Sequence, residues 1–169
     1  MQLAVKGKQP NSKMCFVCGT DNGFGLKSRF YELENGDLLA RFMPAPEHQG
    51  YPGRLHGGIA AAILDETIGR AIMMKYSGTV WGVTVDFSMK LKKPVPLHGE
   101  IQVLARITRD RKKIFEGSGE IVLADGSEAI TAAGKYLKME IDTITDTDFE
   151  QESWEVSYDA QDPEAVRLG

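Results

Sequence analysis

Histidine and cysteine are scarce in this sequence. Its 169 residues hold three histidines, at 48, 56 and 98, and two cysteines, at 15 and 18. Cysteines so close together cannot staple distant parts of a chain, which excludes a disulfide scaffold. Four-ligand zinc binding needs a second close-spaced pair, and none is present. A redox reading of the pair lacks the surrounding βαβ pattern. "CFVCG" therefore reads as a tight turn whose sulfurs pack as small hydrophobes, and no metal or other cofactor is expected. Three scattered histidines also give no Ser-His-Asp arrangement.

Long apolar runs are missing too. No stretch of roughly 18 residues is apolar and free of charge, so no spanning helix is expected. The opening "MQLAVKGKQPNSK" has no apolar core of a signal peptide, which makes the cytoplasm the expected compartment. Neither sign of charge dominates, with 20 basic and 24 acidic residues and a net charge of −4. The distribution is uneven. From Asp142 onward nine acids face Arg167 alone, which leaves 19 basic and 15 acidic residues in 1–141. A body near +4 suits an anionic small ligand; it is too weak and too scattered for nucleic acid.

What is present is ordinary for one globular domain: 42% hydrophobic and 26% charged residues. Three segments suggest themselves, a polar stretch 1–27 with the Cys-x-x-Cys turn, a body 28–141, and an acidic tail 142–169 made of a short surface helix plus disorder. In the body, Ser28–Leu33 and Asp37–Met43 read as strands paired through Asn35-Gly36, a favoured type I′ turn. "PAPEHQGYPGR" is a loop, and a helix follows from about Gly57 to Lys75. "VTVDFSMKL" then alternates without a fault from Val83 to Leu91, as a strand with one buried face does. Glu100–Thr108, Ile114–Leu123 and Glu128–Lys138 complete a meander, the last two joined at Asp125-Gly126. About six antiparallel strands and one long helix form an α+β fold, with the sheet wrapped around the helix.

The stretch "HQGYPGRLHGGIAAAILDETIG" carries the chemistry. Asp65 sits in an almost wholly apolar helix, among Ala61, Ala62, Ile68 and Gly69. A buried carboxylate is costly unless paired or neutralised, and such surroundings raise its pKa and strengthen it as a base. Glu66 and Arg70, at i and i+4, form an ion pair on the least apolar face. At the helix start, Gly57 and Gly58 leave backbone N–H donors uncovered at the positive end of the macrodipole, where they can act as an oxyanion hole. From Gly57 to Asp65 is roughly 12 Å of helix rise. One carbonyl cannot touch both ends, so a shared site needs two chains related by a twofold axis.

"HGGIAAAILDETIG" resembles the His-Gly-Gly-x6-Asp-x3-Gly motif of hotdog-fold acyl-CoA thioesterases, in particular their phenylacetate-pathway and THEM-like branch. The resemblance runs from about Cys15 through Leu137. It implies a hotdog fold, a homodimer or dimer of dimers, and metal-free hydrolysis of acyl-CoA to free acid and CoA. By resemblance Asp65 is the general base or nucleophile, and Gly57, with Gly58, polarises the thioester carbonyl. His56 is counted with the catalytic residues, either acting in the chemistry or fixing the helix start. Many relatives carry Asn or Gln where this chain has Gly50; Gln49 is the candidate catalytic replacement, and His48 and Gly50 are candidates for substrate contact. Thr84 falls where relatives place Ser or Thr on the strand after the helix. The turn-adjacent cations Lys90, Lys92, Arg109 and Arg111 are candidates for the CoA phosphates, or else solvated edge charges. A hotdog hydratase or dehydratase and a non-catalytic acyl-CoA-binding protein are the competing readings.

Overall fold

The computed structural model describes residues 2–168. Eight antiparallel strands form one sheet: β1 (Gln2–Lys8), β2 (Arg29–Leu33), β3 (Leu38–Phe42), β4 (Trp81–Leu91), β5 (Ile101–Asp110), β6 (Ile114–Val122), β7 (Glu128–Met139) and β8 (Ala165–Arg167). Their spatial order is β4-β7-β6-β5-β3-β2-β1-β8. One long helix, α1 (Gly57–Lys75), and one turn of helix, α2 (Ile141–Ile144), complete the set. The expected helix matches α1 at both ends, and the six expected strands are all present.

The sheet wraps α1 because that helix has little else to offer a solvent-facing side. Ile63, Leu64, Thr67, Ile68, Ala71 and Ile72 are buried in the core together with Phe30, Leu38, Val103, Phe115, Ile121 and Tyr136 from the sheet. The contact is closest where α1 meets the start of β4. A Cβ at Gly82 would stand 2.9 Å from the carbonyl oxygen of Gly69 and 2.7 Å from the Phe115 ring, so only glycine lets the two backbones approach. That approach places Asp65 beside β4.

Two strands exceed the expected six. β1 and β8 lie at the far edge and cover the outer face, where Leu3, Tyr31, Leu33, Leu39, Leu104 and Val166 form a second apolar cluster. The tail, expected as a short surface helix plus disorder, begins with the one-turn helix α2 and continues along the body. Trp154 packs at 4.6 Å on Trp81 and over the Arg70 guanidinium, and Asp162 pairs with Lys8 at 2.7 Å and accepts from the Tyr31 hydroxyl at 2.7 Å. Acidity without periodicity hid these anchors, each of which is a single aromatic or a single ion pair.

The Asn35-Gly36 hairpin is also not type I′. Only Gly36 has a positive φ, of 85°, and Leu33 N–H reaches the carbonyl of Asp37 while Gly36 N–H reaches that of Leu33. This is a three-residue loop in which the glycine alone takes the left-handed position.

Alternation in β4 is regular, yet Val85 and Leu91 are both 61% exposed. β4 pairs with β7 on one side and is the sheet edge on the other. Its register shifts between Thr84 and Asp86, which leaves Val85 in a bulge.

Candidate active site

Asp65 and Thr84 meet where α1 approaches β4. The Thr84 hydroxyl lies 2.9 Å from Asp65 Oδ1 and 3.0 Å from Oδ2. Tyr136, on β7, donates to the same Oδ1 at 3.0 Å. Its ring is fully buried and stacks on Phe115 with centroids 5.0 Å apart. Burial pushes the Asp65 carboxyl above its ordinary value; the Thr84 and Tyr136 hydroxyls oppose that rise, and the charge of Glu66 adds to it. Burial, and then the charge of Asp65, push the Tyr136 phenol well above its ordinary value, so it remains a proton donor. Oδ1 thus carries two hydroxyl contacts and Oδ2 one, which leaves Oδ2 the freer acceptor.

The three groups line a small cavity of about 120 Å³ with Glu66, Arg70 and Trp81. It is much smaller than the roughly 300–1,000 Å³ of a pocket that holds a whole ligand. Larger hollows lie elsewhere, one of about 420 Å³ beside Arg29, Arg41 and His48 and one of about 570 Å³ beside Asp110 and Lys138. Neither contains a carboxylate held like Asp65, and the small cavity is where the chemistry concentrates.

At the helix start, His56 is the N-cap: its Nδ1 accepts the Gly58 N–H at 2.9 Å. Gly58 is thereby already satisfied, whereas the Gly57 N–H has no hydrogen-bond partner among the described residues. A Cβ at Gly57 would have only Leu91 Cδ2 near it, at 3.9 Å. Helix rise keeps Gly57 and Asp65 of one chain apart, as expected.

The loop residues hold the loop. His48 is buried, with Nδ1 accepting from the Ala45 N–H at 2.9 Å and Nε2 against the Phe24 carbonyl at 2.9 Å. Gln49 Oε1 accepts from the Gly53 N–H at 2.8 Å. A Cβ at Gly50 would come to 3.0 Å from His56 Cα, so the absence of a side chain there lets the loop lie against the capping histidine. None of the three reaches Asp65.

The cations are dispersed. Lys92 pairs with Glu128 at 2.7 Å and Arg109 with Glu116 at 3.8 Å. Arg111 lines the hollow beside Asp110, and Lys90 is exposed on β4. The Glu66–Arg70 pair exists at 2.7 Å, but Arg70 is buried rather than solvated. Tyr136 was not legible as a site residue: it lies in a regular strand, 71 residues from Asp65. Its one signal is a tyrosine on an inward position, whose hydroxyl must find a partner.

Known proteins resemble this chain in sequence and in fold. Residues 52–130 match the family model of the Thioesterase superfamily. The acyl-coenzyme A thioesterase THEM4 of Xenopus laevis is 26% identical over 117 residues, which are 66% of this chain and 51% of that protein. The chain thus spans about half the length of the THEM4 relatives it matches. A solved thioesterase superfamily protein is 25% identical with a TM-score of 0.64, over 72% of this chain and 58% of that one. BH2602 of Bacillus halodurans, solved with CoA, is 20% identical with a TM-score of 0.54, over 59% and 70%.

The fold is therefore the hotdog fold. Residues 52–130, the stretch that matches the Thioesterase superfamily model, hold the helix start, Asp65 and Thr84. Tyr136 and the loop residues 48–50 fall outside the matched stretch.

Proposed function

We propose that this protein hydrolyses acyl-CoA thioesters as a homodimer, with Asp65 of one chain and the helix start of the other serving one site. The observation that carries the reading is the Asp65 carboxylate, half-buried, held by two hydroxyls and facing a cavity. A thioester has an electrophilic carbonyl and a leaving thiol whose pKa is about 8.5. Its hydrolysis needs a base for water and dipoles for the oxyanion, and little acid assistance. Asp65 Oδ2 takes the proton of a water that attacks the carbonyl carbon. The Gly57 N–H, at the positive end of α1, stabilises the oxyanion until the carbon–sulfur bond breaks and the CoA thiolate leaves.

The second chain follows from β4. An eleven-residue strand with an open edge and two exposed apolar side chains calls for a partner; the opposite edge is β8, three residues long and self-limiting. Thr84 marks the Asp65 end of β4, and Leu91 marks the Gly57 end. Antiparallel pairing of two β4 strands about an axis near Phe87 and Ser88 sets Thr84 of each chain opposite Leu91 of the other. Asp65 of one then faces Gly57 of its partner, and the small cavity gains its second wall. Lys90 and Lys92 fall at the mouth of that site, where phosphates of CoA would pass. No helix among the described residues is long and apolar enough to cross a membrane.

The test is release of CoA from saturated acyl-CoA substrates of graded length, read with a thiol-trapping dye. Steady release by the protein and its loss in Asp65→Asn support the reading. Absence of release at every chain length, or an Asp65→Asn variant as fast as the parent, sinks it.

A further inference from the structure

Arg70 is buried, and its guanidinium is fixed from every side. Nε bonds Glu66 Oε1 at 2.7 Å, Nη1 bonds the Pro10 carbonyl at 2.9 Å, and Nη2 bonds Cys18 Sγ at 3.0 Å. The rings of Phe30 and Trp154 lie 4.2 and 4.6 Å away. Cys18 is fully buried, while Cys15 is partly exposed. Cys15 Sγ accepts the backbone N–H groups of Val17 and Cys18 at 3.4 and 3.5 Å. The turn that does this requires Gly19, where a Cβ would collide with the backbone of Cys15 and Lys13.

Both sulfurs and the Glu66 carboxylate lie within 4.8 Å of one another, a spacing that suits a metal ion. The place for a cation is taken, however, because the Arg70 fork already bridges Cys18 to Glu66. A fixed guanidinium against a buried sulfur favours its thiolate. The Cys18 thiol is accordingly held below its ordinary value, first by its hydrogen bond with Cys15 and also by Arg70, while the shared proton raises Cys15.

We propose that Cys15 and Cys18 form a thiol–disulfide exchange site, with Cys15 as the accessible entry sulfur and Cys18, anchored by Arg70, as the resolving sulfur. Its co-reactant is a low-molecular-weight disulfide, RS–SR. When the proton between the two sulfurs passes to Cys18, Cys15 attacks RS–SR. A bond forms from Cys15 Sγ to one sulfur, the S–S bond of RS–SR breaks, and RS⁻ leaves. Cys18, on losing that proton, attacks Cys15 Sγ; the mixed disulfide breaks and the second RS⁻ leaves. One leaving thiolate takes the single proton that the cysteine pair held, and the other takes a proton from water. The protein loses two electrons and RS–SR becomes two RSH. Glu66 and Arg70 also line the Asp65 cavity.

The test uses the full chain in glutathione buffers of rising oxidised fraction, quenched with acid, alkylated and weighed. The parent should pass from two alkylated thiols to none, losing two hydrogens and retaining no glutathione. Cys18→Ser should retain one glutathione, on Cys15, and Cys15→Ser none while folded. Arg70→Met, where it folds, should slow closure of the disulfide at least tenfold. Two thiols that stay free in oxidised buffer overturn the proposal, as does an equivalent of zinc that accompanies the purified protein through dialysis. None of these readouts depends on thioesterase activity.

Discussion

Tyr136 donates its hydroxyl proton to Asp65 Oδ1 at 3.0 Å, joining β7 to α1 across 71 residues of sequence. A phenol is an unusual neighbour for a carboxylate meant to be basic, because each donated hydrogen bond lowers the carboxylate's proton affinity. Burial works the other way and prevails. The two hydroxyls therefore act as positioning groups: both bond Oδ1, only Thr84 also reaches Oδ2, and Oδ2 stays the freer acceptor.

Tyr136→Phe should keep the fold, since the ring and its stacking on Phe115 remain. It removes a hydrogen bond to a charged group, worth about 1.5–3 kcal/mol. Turnover should fall about tenfold to a hundredfold as Asp65 loses its orientation. The acid limb of the pH–rate profile should move to higher pH, because one of the two opposing hydroxyls is gone. A variant that loses rate with its acid limb unmoved would show Tyr136 to be a packing residue only.

Asp65→Asn separates chemistry from stability. General-base loss should lower kcat by about 10²–10⁴-fold. For stability the sign follows from the raised carboxyl. Below the unfolded-state value both states are protonated, and parent and variant should melt together. As pH rises through the folded value, the parent must ionise a half-buried group and loses stability, while the amide does not. The melting temperature of Asp65→Asn should thus exceed the parent's near neutrality, with the gap closing in acid. A variant less stable at every pH would make Asp65 a structural anion.

How much of this was legible in the sequence depends on the periodicity of each element. α1 announces itself by length and apolar content, and β4 to β7 by alternation, because each buries a whole face. β1 and β8 are short edge elements, and β8 is fixed largely by pairing with β1. The tail is held by Trp154 and Asp162, contacts that no pattern encodes. At the site, Asp65 was conspicuous as a charge in the wrong place, and Thr84 followed from resemblance. Tyr136 looked like any inward residue of a strand. Cys15 and Cys18 were discounted for lack of partners in sequence, since Arg70 reaches Cys18 only through the fold.

Trp154→Ala tests the tail. The ring packs at a tilt against Trp81 and Phe149 and lies over the Arg70 guanidinium, so truncation should cost about 1–3 kcal/mol, below the usual range for a fully buried tryptophan. Limited proteolysis should then cut after residue 140 faster than in the parent. Unchanged protection would mean that β8 and the Asp162–Lys8 pair hold the tail unaided.

Subunit mixing decides whether one site draws on two chains. Gly57→Pro deletes the free N–H at the first position of α1, where proline is well tolerated, so the variant should fold and lose activity by about 10²–10³-fold, as removal of one oxyanion donor typically does. Asp65→Asn should be similarly weak. In a mixed dimer, one site inherits both defects and the other has an intact Asp65 opposite an intact Gly57. Unfolding the two variants together and refolding them should form such dimers in about half of the population at random pairing, each with one working site. Activity should therefore return to about a quarter of the parent's. If the mixture stays as inactive as its components, while light scattering shows that dimers have formed, Asp65 and Gly57 do not meet across the interface.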